Sequence, residues 1–505
     1  MRGGYTQLHS QFDALLAVNV GPAMCELAAI EIGERDVPVI EGTWHIRPNY
    51  GGAVVYKYSH DDSKRVGLNP REAVTVALCD GSRCLADVQR LLGRVLEISP
   101  EACCEVWNRL REKNRNDGPF LVPLASAATQ VTLPNTVRLL AELAAYQPQP
   151  QQISRLQAPL SLVLLPSYQC RTDCVYCYAQ RPSLPLAEYL SPERWVEVLT
   201  EAGEFGLDLL TFSGGDPLTY GGIDKLLEVA RRYRMKYILP TKMRISRSRA
   251  HRLAELVGDG SAIQVSVDSF DPEIAAALTR TPGYEKSARE SIQNLVAAGV
   301  TVRTNTVVTP LNLASVDSLV RELHALGVFR AHLINYYRTY YRHEDQWYLT
   351  RTQMDELNDT ARRLQSELAW PELKCNAGSR DFSVPGLNGP EEWKGRANCS
   401  GGSSSCVILP NGDIVLCEQV PHSPPFVIGN VREHSLIEVW NSERLFEFVV
   451  PSREKFGSTP CATCEEFDSC HRIYGRCFRD AYFHYGTLFA PSPNCPKAPP
   501  GLRMS

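Results

Sequence analysis

The sequence predicts an α/β protein: a partial (β/α)6 barrel, preceded by a small winged-helix-like α+β domain and followed by a cysteine-rich domain. Three observations predict it. From Leu160 strand-like and helix-like segments alternate as far as Ile334, the pattern of a parallel sheet with crossover helices. Between residues 43 and 122 three short extended segments precede three helices, two of them opened by capping pairs. Eight of the 17 cysteines fall between Cys399 and Cys495, where apolar residues are too sparse to build a core unaided.

Residues 1–42 read as an N-terminal extension with a helix-like apolar pattern and no motif. In the domain at 43–122 the expected strands are Trp44–Arg47, Val54–Ser59 after Gly51-Gly52, and Val66–Leu68 after the turn Asp61-Asp62-Ser63-Lys64. Asn69-Pro70 opens a helix that stops at Asp80-Gly81, with Asn as N-cap and Pro at the first helical position. A second helix covers Cys84–Val95, and Ser99-Pro100 caps a third. Residues 123–157 read as a linker, punctuated by the run YQPQPQQ. The barrel is expected over 158–345, with strands Ser161–Leu165, Leu209–Phe212, Lys236–Leu239, Ala262–Val267, Val300–Val308 and Ala331–Ile334. Six such units make a partial barrel rather than the full eight. A bridge follows over 346–398, and the cysteine-rich domain over 399–505.

Composition narrows the chemistry. The chain has 505 residues and a net charge of −4, without the basic face that displaces phosphate counterions, so no nucleic-acid partner is expected. No apolar run approaches the roughly 20 residues that span a bilayer. The N-terminus lacks a signal-peptide pattern, so a cytoplasmic protein with no membrane partner is expected. Seventeen cysteines in such a chain point to metal or catalytic use rather than disulfides. Cys25, Cys79, Cys84, Cys103 and Cys104 are scattered and read as small core hydrophobes.

The segment LLPSYQCRTDCVYCYAQ places Cys170, Cys174 and Cys177 in a Cys-x3-Cys-x2-Cys loop directly after the first barrel strand. Three thiolates from one tight loop can hold a [4Fe–4S] cluster and leave one iron without a protein ligand. A zinc loop would want a fourth ligand, and no histidine is near. Loops after barrel strands also lie on the active face.

This motif resembles that of the radical S-adenosylmethionine (SAM) superfamily, and the resemblance extends further. Tyr176 stands where the family has an aromatic residue near the SAM adenine. Ser213-Gly214-Gly215-Asp216-Pro217, after the second strand, is similar to the family's Gly-Gly-Glu-Pro turn, with Asp for Glu. There the glycines let backbone approach the SAM amino group, and the acid orients that region. Ser266 in QVSVDSF resembles a family serine that binds the SAM carboxylate, assisted by an arginine corresponding to Arg280. The alternative is that Ser266 only ends a strand and Arg280 is a solvated helix residue. Where the family often has Thr-Asn-Gly, this chain has Pro240-Thr241-Lys242. The resemblance implies SAM and the reduced cluster as cofactors, and a 5′-deoxyadenosyl radical that removes a hydrogen from the substrate.

The later cysteines resemble the SPASM extension of radical SAM peptide maturases, which carries two auxiliary [4Fe–4S] clusters. The resemblance assigns Cys461, Cys464, Cys470 and Cys495 to one. It assigns Cys399, Cys417 and Cys477 to the other, with Cys406 a candidate fourth ligand. The family usually has three residues where this chain has six between Cys470 and Cys477. The other reading of Cys461-x2-Cys464 is a zinc ribbon. Cys375, in the bridge, reads as a core thiol or as a hydrogen donor to a substrate radical.

Residues 43–122 resemble the PqqD-like recognition element (RRE) of enzymes that mature ribosomally made peptides. In that family a leader peptide adds as an extra strand to the three-stranded sheet and packs against a helix. The other reading is a generic winged helix that binds DNA. Against it, the third helix mixes Glu101, Glu105 and Glu112 with its basic residues, a poor face for a DNA groove. The segment Asn335–Arg342 would either cradle a core peptide or cap the barrel beneath the bridge.

Together these resemblances imply a radical SAM oxidoreductase. It would bind a precursor peptide by its leader, draw electrons from a flavodoxin or ferredoxin, and close an oxidative thioether, C–C or C–O crosslink. A redox-neutral peptide epimerase, a formylglycine-type protein maturase and a leader-binding scaffold with structural clusters are the alternatives.

Overall fold

A computed structural model describes residues 32–42, 44–49, 52–57, 64–126, 131–132, 155–336, 342, 344–375, 377, 399–474, 476–493 and 495–499. The chain divides into two compact units, residues 1–151 and 152–505.

In the first unit, β1 (Pro38–Glu41) precedes an antiparallel sheet of β2 (His45–Asn49), β3 (Gly52–Lys57) and β4 (Lys64–Leu68), with β3 central. Three helices follow: α1 (Pro70–Ala77), α2 (Leu85–Val95) and α3 (Pro100–Asp117). The start of α1 is set by a capping box. Asn69 accepts from the Glu72 N–H at 3.0 Å, and Glu72 accepts from the Asn69 N–H at 2.9 Å. Gly52 is obligatory, because a Cβ there would stand 1.9 Å from the Leu68 carbonyl oxygen and break the β3–β4 pairing. Trp44, Val55, Val66, Leu85, Leu92, Val106, Trp107 and Leu110 form the core beneath the sheet.

The three strands and three helices expected at 43–122 are present. The chain then forms β5 (Leu121–Pro123) and β6 (Val131–Thr132), which flank β1 in a second antiparallel sheet. That sheet was not foreseen. It joins segments on both sides of 43–122, and strands of two to four residues give no alternation to read. Cys79 and Cys103 are buried as core thiols, whereas Cys104 is disulfide-bonded and so departs from that expectation. Cys25 lies outside the described residues.

The second unit holds the barrel. Strands β7 (Ser161–Leu164), β8 (Leu209–Phe212), β9 (Lys236–Thr241), β10 (Ala262–Ser266), β11 (Val302–Val308) and β12 (Arg330–Asn335) run parallel in sequence order. The interleaved helices are α4 (Pro192–Glu204), α5 (Ile223–Arg232), α6 (Arg247–Leu256), α7 (Pro272–Thr279), α8 (Tyr284–Ala297) and α9 (Val316–Ala325). Each covers the sheet with an apolar stripe, as Trp195, Val198, Leu199 and Ala202 do on α4.

All six expected strands are found, and the sheet is wider than expected. After α10 (Arg351–Glu367), β13 (Leu373–Cys375) adds parallel to β12. At the other edge β14 (Ser405–Ile408) adds parallel to β7, and β15 (Asp413–Val415) and β16 (Gly429–Asn430) continue antiparallel. The result is one ten-stranded sheet, to which the bridge lends one strand and the cysteine-rich segment three. Helices α11 (Leu436–Trp440), α12 (Glu443–Val449) and α13 (Phe478–Tyr485) complete the unit. Among the described residues no helix is long and apolar enough to cross a membrane.

Candidate functional site

Cys170, Cys174 and Cys177 lie on the loop that leaves the C-terminal end of β7. The loop is pinned from two sides. The N–H groups of Asp173 and Val175 donate to the carbonyls of Thr279 and Leu278 at 3.0 and 2.9 Å. Asp173 also binds three guanidinium groups: Arg342 at 2.6 Å, Arg181 at 2.7 Å and Arg280 at 3.1 Å. Arg342, backed by Arg280 and Arg181 against the cost of desolvation, holds the Asp173 carboxyl down at about 2. Arg342 further donates to the carbonyls of Asp173 and Cys174 at 3.1 and 3.0 Å. The Thr172 hydroxyl lies 3.4 Å from the Cys170 sulfur and 3.5 Å from that of Cys174. Burial pushes the Cys177 thiol up, and the neighbouring Cys174 and Cys170 add to it. The loop thus gathers three thiols that metal binding would have to deprotonate.

The turn Ser213–Pro217 packs directly on the segment entering this loop. Gly215 N–H donates to Ser167 at 2.8 Å, and Asp216 N–H to Gln169 at 2.6 Å. A Cβ on Gly214, whose φ is +102°, would stand 2.6 Å from the Ser167 oxygen. One on Gly215 would stand 2.1 Å from the Gln169 oxygen. Here the glycines are required by the close approach of two backbones. Asp216 is buried and reaches the end of β9, accepting from the Thr241 hydroxyl at 3.0 Å and the Lys242 N–H at 2.6 Å. Burial raises its carboxyl against these donors.

Two further clusters face the same end of the barrel. Lys242 donates to Asp268 at 3.2 Å and to the Ser266 carbonyl at 3.0 Å, and lies over the rings of Tyr284 and Tyr176 at 5.0 and 5.9 Å. Burial favours the neutral amine, but Asp268 and Tyr284 outweigh it and raise the pKa. Asp268 also accepts from the Tyr176 hydroxyl and from the Val307 N–H at 3.0 Å. It therefore ties the cysteine loop to the ends of β9 and β11. In the second cluster, Glu418, next to Cys417, accepts from Ser213 at 2.6 Å and from Tyr178 at 3.3 Å. Burial pushes its carboxyl up.

The later cysteines fall into two neighbourhoods. Burial drives the Cys461 thiol up to about 12, and the adjacent Cys495, Cys470 and Cys464 contribute. Cys399 acts in the same way on Cys417, raised to about 11 chiefly by burial, and on Cys477. Cys477 therefore reaches this second set across the six-residue spacing. Cys406 does not join it. It is buried on β14 opposite Leu162, burial raises its thiol to about 12, and its charged neighbour is Arg155. Its side chain belongs to the hydrophobic core of this unit. Among the described residues no three His, Cys, Asp or Glu side chains converge as ligands of a single bare ion.

Residues 164–323 match the model of the radical SAM superfamily, and residues 399–465 that of the SPASM iron–sulfur cluster-binding domain. The chain is a radical SAM–SPASM enzyme. A PqqA peptide cyclase of Streptomyces rochei is 26% identical over 348 residues, 68% of this chain and 90% of the relative. Mycofactocin maturase MftC of Mycobacterium tuberculosis H37Rv is 26% identical over 346 residues, 67% of this chain and 83% of the relative. Streptococcus suis SuiB, solved bound to precursor peptide SuiA, shares the fold. Its TM-score is 0.64 at 17% identity, covering 90% of this chain and 98% of that one. SAM and iron–sulfur clusters are the cofactors of the radical SAM–SPASM enzyme.

Of the residues expected to touch SAM, Tyr176, Ser213, Gly214, Gly215, Asp216 and Pro217 lie at the mouth of the radical SAM barrel with the three cysteines. Ser266 ends β10, where its carbonyl is taken by Lys242 and by the Tyr284 hydroxyl. Arg280, in a left-handed conformation (φ 52°) after α7, is directed to Asp173. The sequence reading missed Lys242, Asp268, Tyr284, Glu418 and the role of Arg342 as a brace. Glu418 had one signal, its place beside Cys417. Tyr336 is buried against Tyr348, with its hydroxyl on the Arg342 carbonyl at 3.1 Å, while residues 337–341 lie outside the described residues.

Cys375 points away from the barrel interior. Its thiol donates to Asn358 on α10 at 3.3 Å, within the helix layer. Cys375→Ala is therefore expected to leave product yield and stereochemistry unchanged, measured by chiral amino-acid analysis of the modified substrate. Loss of an inverted product in this variant would restore the hydrogen-donor role.

Proposed function

We propose that this radical SAM–SPASM enzyme is a peptide maturase. Residues 43–122 capture the leader of a ribosomally made precursor. The barrel at 158–345, joined by the linker at 123–157 and the bridge at 346–398 to the SPASM region at 399–505, modifies the core peptide. The observation that carries the reading is the pairing of a radical SAM–SPASM unit with a separate unit whose three-stranded sheet ends in an edge strand beside a helix. Gly67 on β4 turns its carbonyl away from β3, and Lys113 on α3 donates to it at 2.7 Å. In an antiparallel strand the N–H of the same residue points the same way, so Gly67 offers both groups to an added strand once Lys113 swings aside. The peptide-directed relatives support the substrate class.

Cys170, Cys174 and Cys177 hold the radical-generating [4Fe–4S] cluster. Cys461, Cys464, Cys470 and Cys495 hold one auxiliary cluster, and Cys399, Cys417 and Cys477 the other. When bound, SAM and its cluster supply the 5′-deoxyadenosyl radical. The chain's own residues do the positioning. Gly214 and Gly215 bring the turn onto the cysteine loop and leave backbone exposed for the SAM amino group. Tyr176, fixed by Asp268, lines the adenine side. Ser213 is oriented by Glu418, and Ser266 with Arg280 faces the carboxylate side. An auxiliary cluster that accepts an electron makes an oxidative crosslink the outcome, with flavodoxin or ferredoxin as reductant in a reducing cytoplasm.

Co-expression with a precursor peptide encoded beside it, followed by mass spectrometry, tests the reading. Loss of two hydrogens is expected. Unchanged mass with altered stereochemistry would replace the crosslink with epimerisation, and an untouched peptide would remove the proposal. Gly67→Pro checks the leader site. A Cβ there meets nothing within 4 Å, and proline is tolerated on edge strands, yet it deletes the outward N–H. The variant should cleave SAM normally and lose peptide affinity by about tenfold, the factor that one hydrogen bond of about 1.4 kcal/mol represents. Wild-type affinity would place the leader elsewhere.

A further inference from the structure

Arg476 is an anomaly in the stretch of unusual length between Cys470 and Cys477. It is 4% exposed, and its Nε, Nη1 and Nη2 have no hydrogen-bond partner among the described residues. Three rings enclose it: Phe478 at 4.8 Å, Phe456 at 5.2 Å and Phe489 at 5.9 Å. A guanidinium stays protonated in proteins, and burying it without a hydrogen-bonded or anionic partner is costly. Ring faces offset only part of that cost. Its neighbour Arg479 shows the ordinary solution, an ion pair with Asp480 at 2.9 Å. Arg476 has instead the thiols of Cys461, Cys470, Cys477 and Cys399 acting on it, two from each ligand set. Cysteines ligate metal as thiolates, so a [4Fe–4S] cluster they hold is anionic, and more so when reduced.

We propose that Arg476 is a positioning residue for charge, the counter-cation shared by the two auxiliary clusters, and that it raises their reduction potentials. The idea rests on the auxiliary ligand sets assigned above. A fixed positive charge stabilises the reduced, more negative cluster over the oxidised one, and cluster potentials follow net charge and local hydrogen bonding. Its place beside both sets makes each auxiliary centre a better electron acceptor.

The test is an anaerobic redox titration followed by electron paramagnetic resonance on full-length reconstituted enzyme, comparing wild type, Arg476→Met and Arg476→Lys. With full iron content, Arg476→Met should shift the auxiliary signals to more negative potential. The signal that SAM perturbs should stay in place, and Arg476→Lys should stay near wild type. Unmoved auxiliary potentials in fully loaded Arg476→Met would overturn the proposal. If Arg476→Met loses auxiliary iron, Arg476→Lys decides: retained clusters support the charge role, and the same iron loss would make Arg476 a packing residue and overturn it. Wild type with iron for the first cluster alone would instead sink the ligand assignment, a separate failure.

Discussion

Replacing Lys242 with Met should destabilise the barrel by about 3–5 kcal/mol, because it leaves Asp268 buried without its cation. Asp268 is 2% exposed, and its remaining donors are the Tyr176 hydroxyl and the Val307 N–H. Anaerobic urea denaturation of wild type, Lys242→Met, Asp268→Asn and the double variant would give the coupling. The double variant should be more stable than Lys242→Met alone, since the asparagine oxygen still accepts from the Val307 N–H, its amide group can donate to the Tyr176 hydroxyl oxygen, and it carries no charge. Additive losses would show that the pair is not coupled. The consequence for function runs through Tyr176. With Asp268 no longer fixed, the ring between Cys174 and Cys177 loses its anchor, and SAM affinity should fall with stability.

Gly215→Ala should abolish most SAM cleavage while leaving the rest of the fold in place. The added Cβ would meet backbone, 2.1 Å from the Gln169 oxygen and 2.6 Å from the Tyr168 carbonyl carbon, so no side chain can turn aside. The turn and the cysteine loop must separate, with loss of the Gly215–Ser167 and Asp216–Gln169 hydrogen bonds. Overpacking of this kind costs roughly 1–3 kcal/mol. A displacement near 1 Å at a reacting centre costs about a hundredfold in rate. Formation of 5′-deoxyadenosine per iron-loaded chain is the readout. Gly221→Ala is the control, since a Cβ there meets nothing within 4 Å. Equal rates for the two variants would contradict the docking of turn on loop.

The barrel was legible because its strands are long enough to alternate with helices, as β11 shows with buried and half-buried positions in strict succession. The cysteine loop and the glycine turn were legible because their chemistry is local in sequence. The added strands β13 and β14 were not: LKC is too short to carry a period, and SCVI, no shorter than β7, leads into an antiparallel hairpin with no crossover helix to mark it. The Lys242–Asp268–Tyr176 hub was hidden for another reason. Its members come from three different strand ends, and only the closed packing of the barrel brings them within reach. Cys406 shows the converse. Its place in a run of cysteines invited a ligand role, and the structure buries it in the hydrophobic core instead. Arg476 carries no mark in the sequence, and only its burial singles it out.

Anaerobic incubation of reconstituted enzyme with SAM and a strong reductant, quantifying 5′-deoxyadenosine, tests the central claim that the Cys170–Cys177 loop generates a radical. Wild type should form 5′-deoxyadenosine, and Cys174→Ala should form none while keeping its auxiliary iron. Wild type with all three clusters loaded and reduced that forms no 5′-deoxyadenosine, or a Cys174→Ala variant that still forms it, would contradict the account.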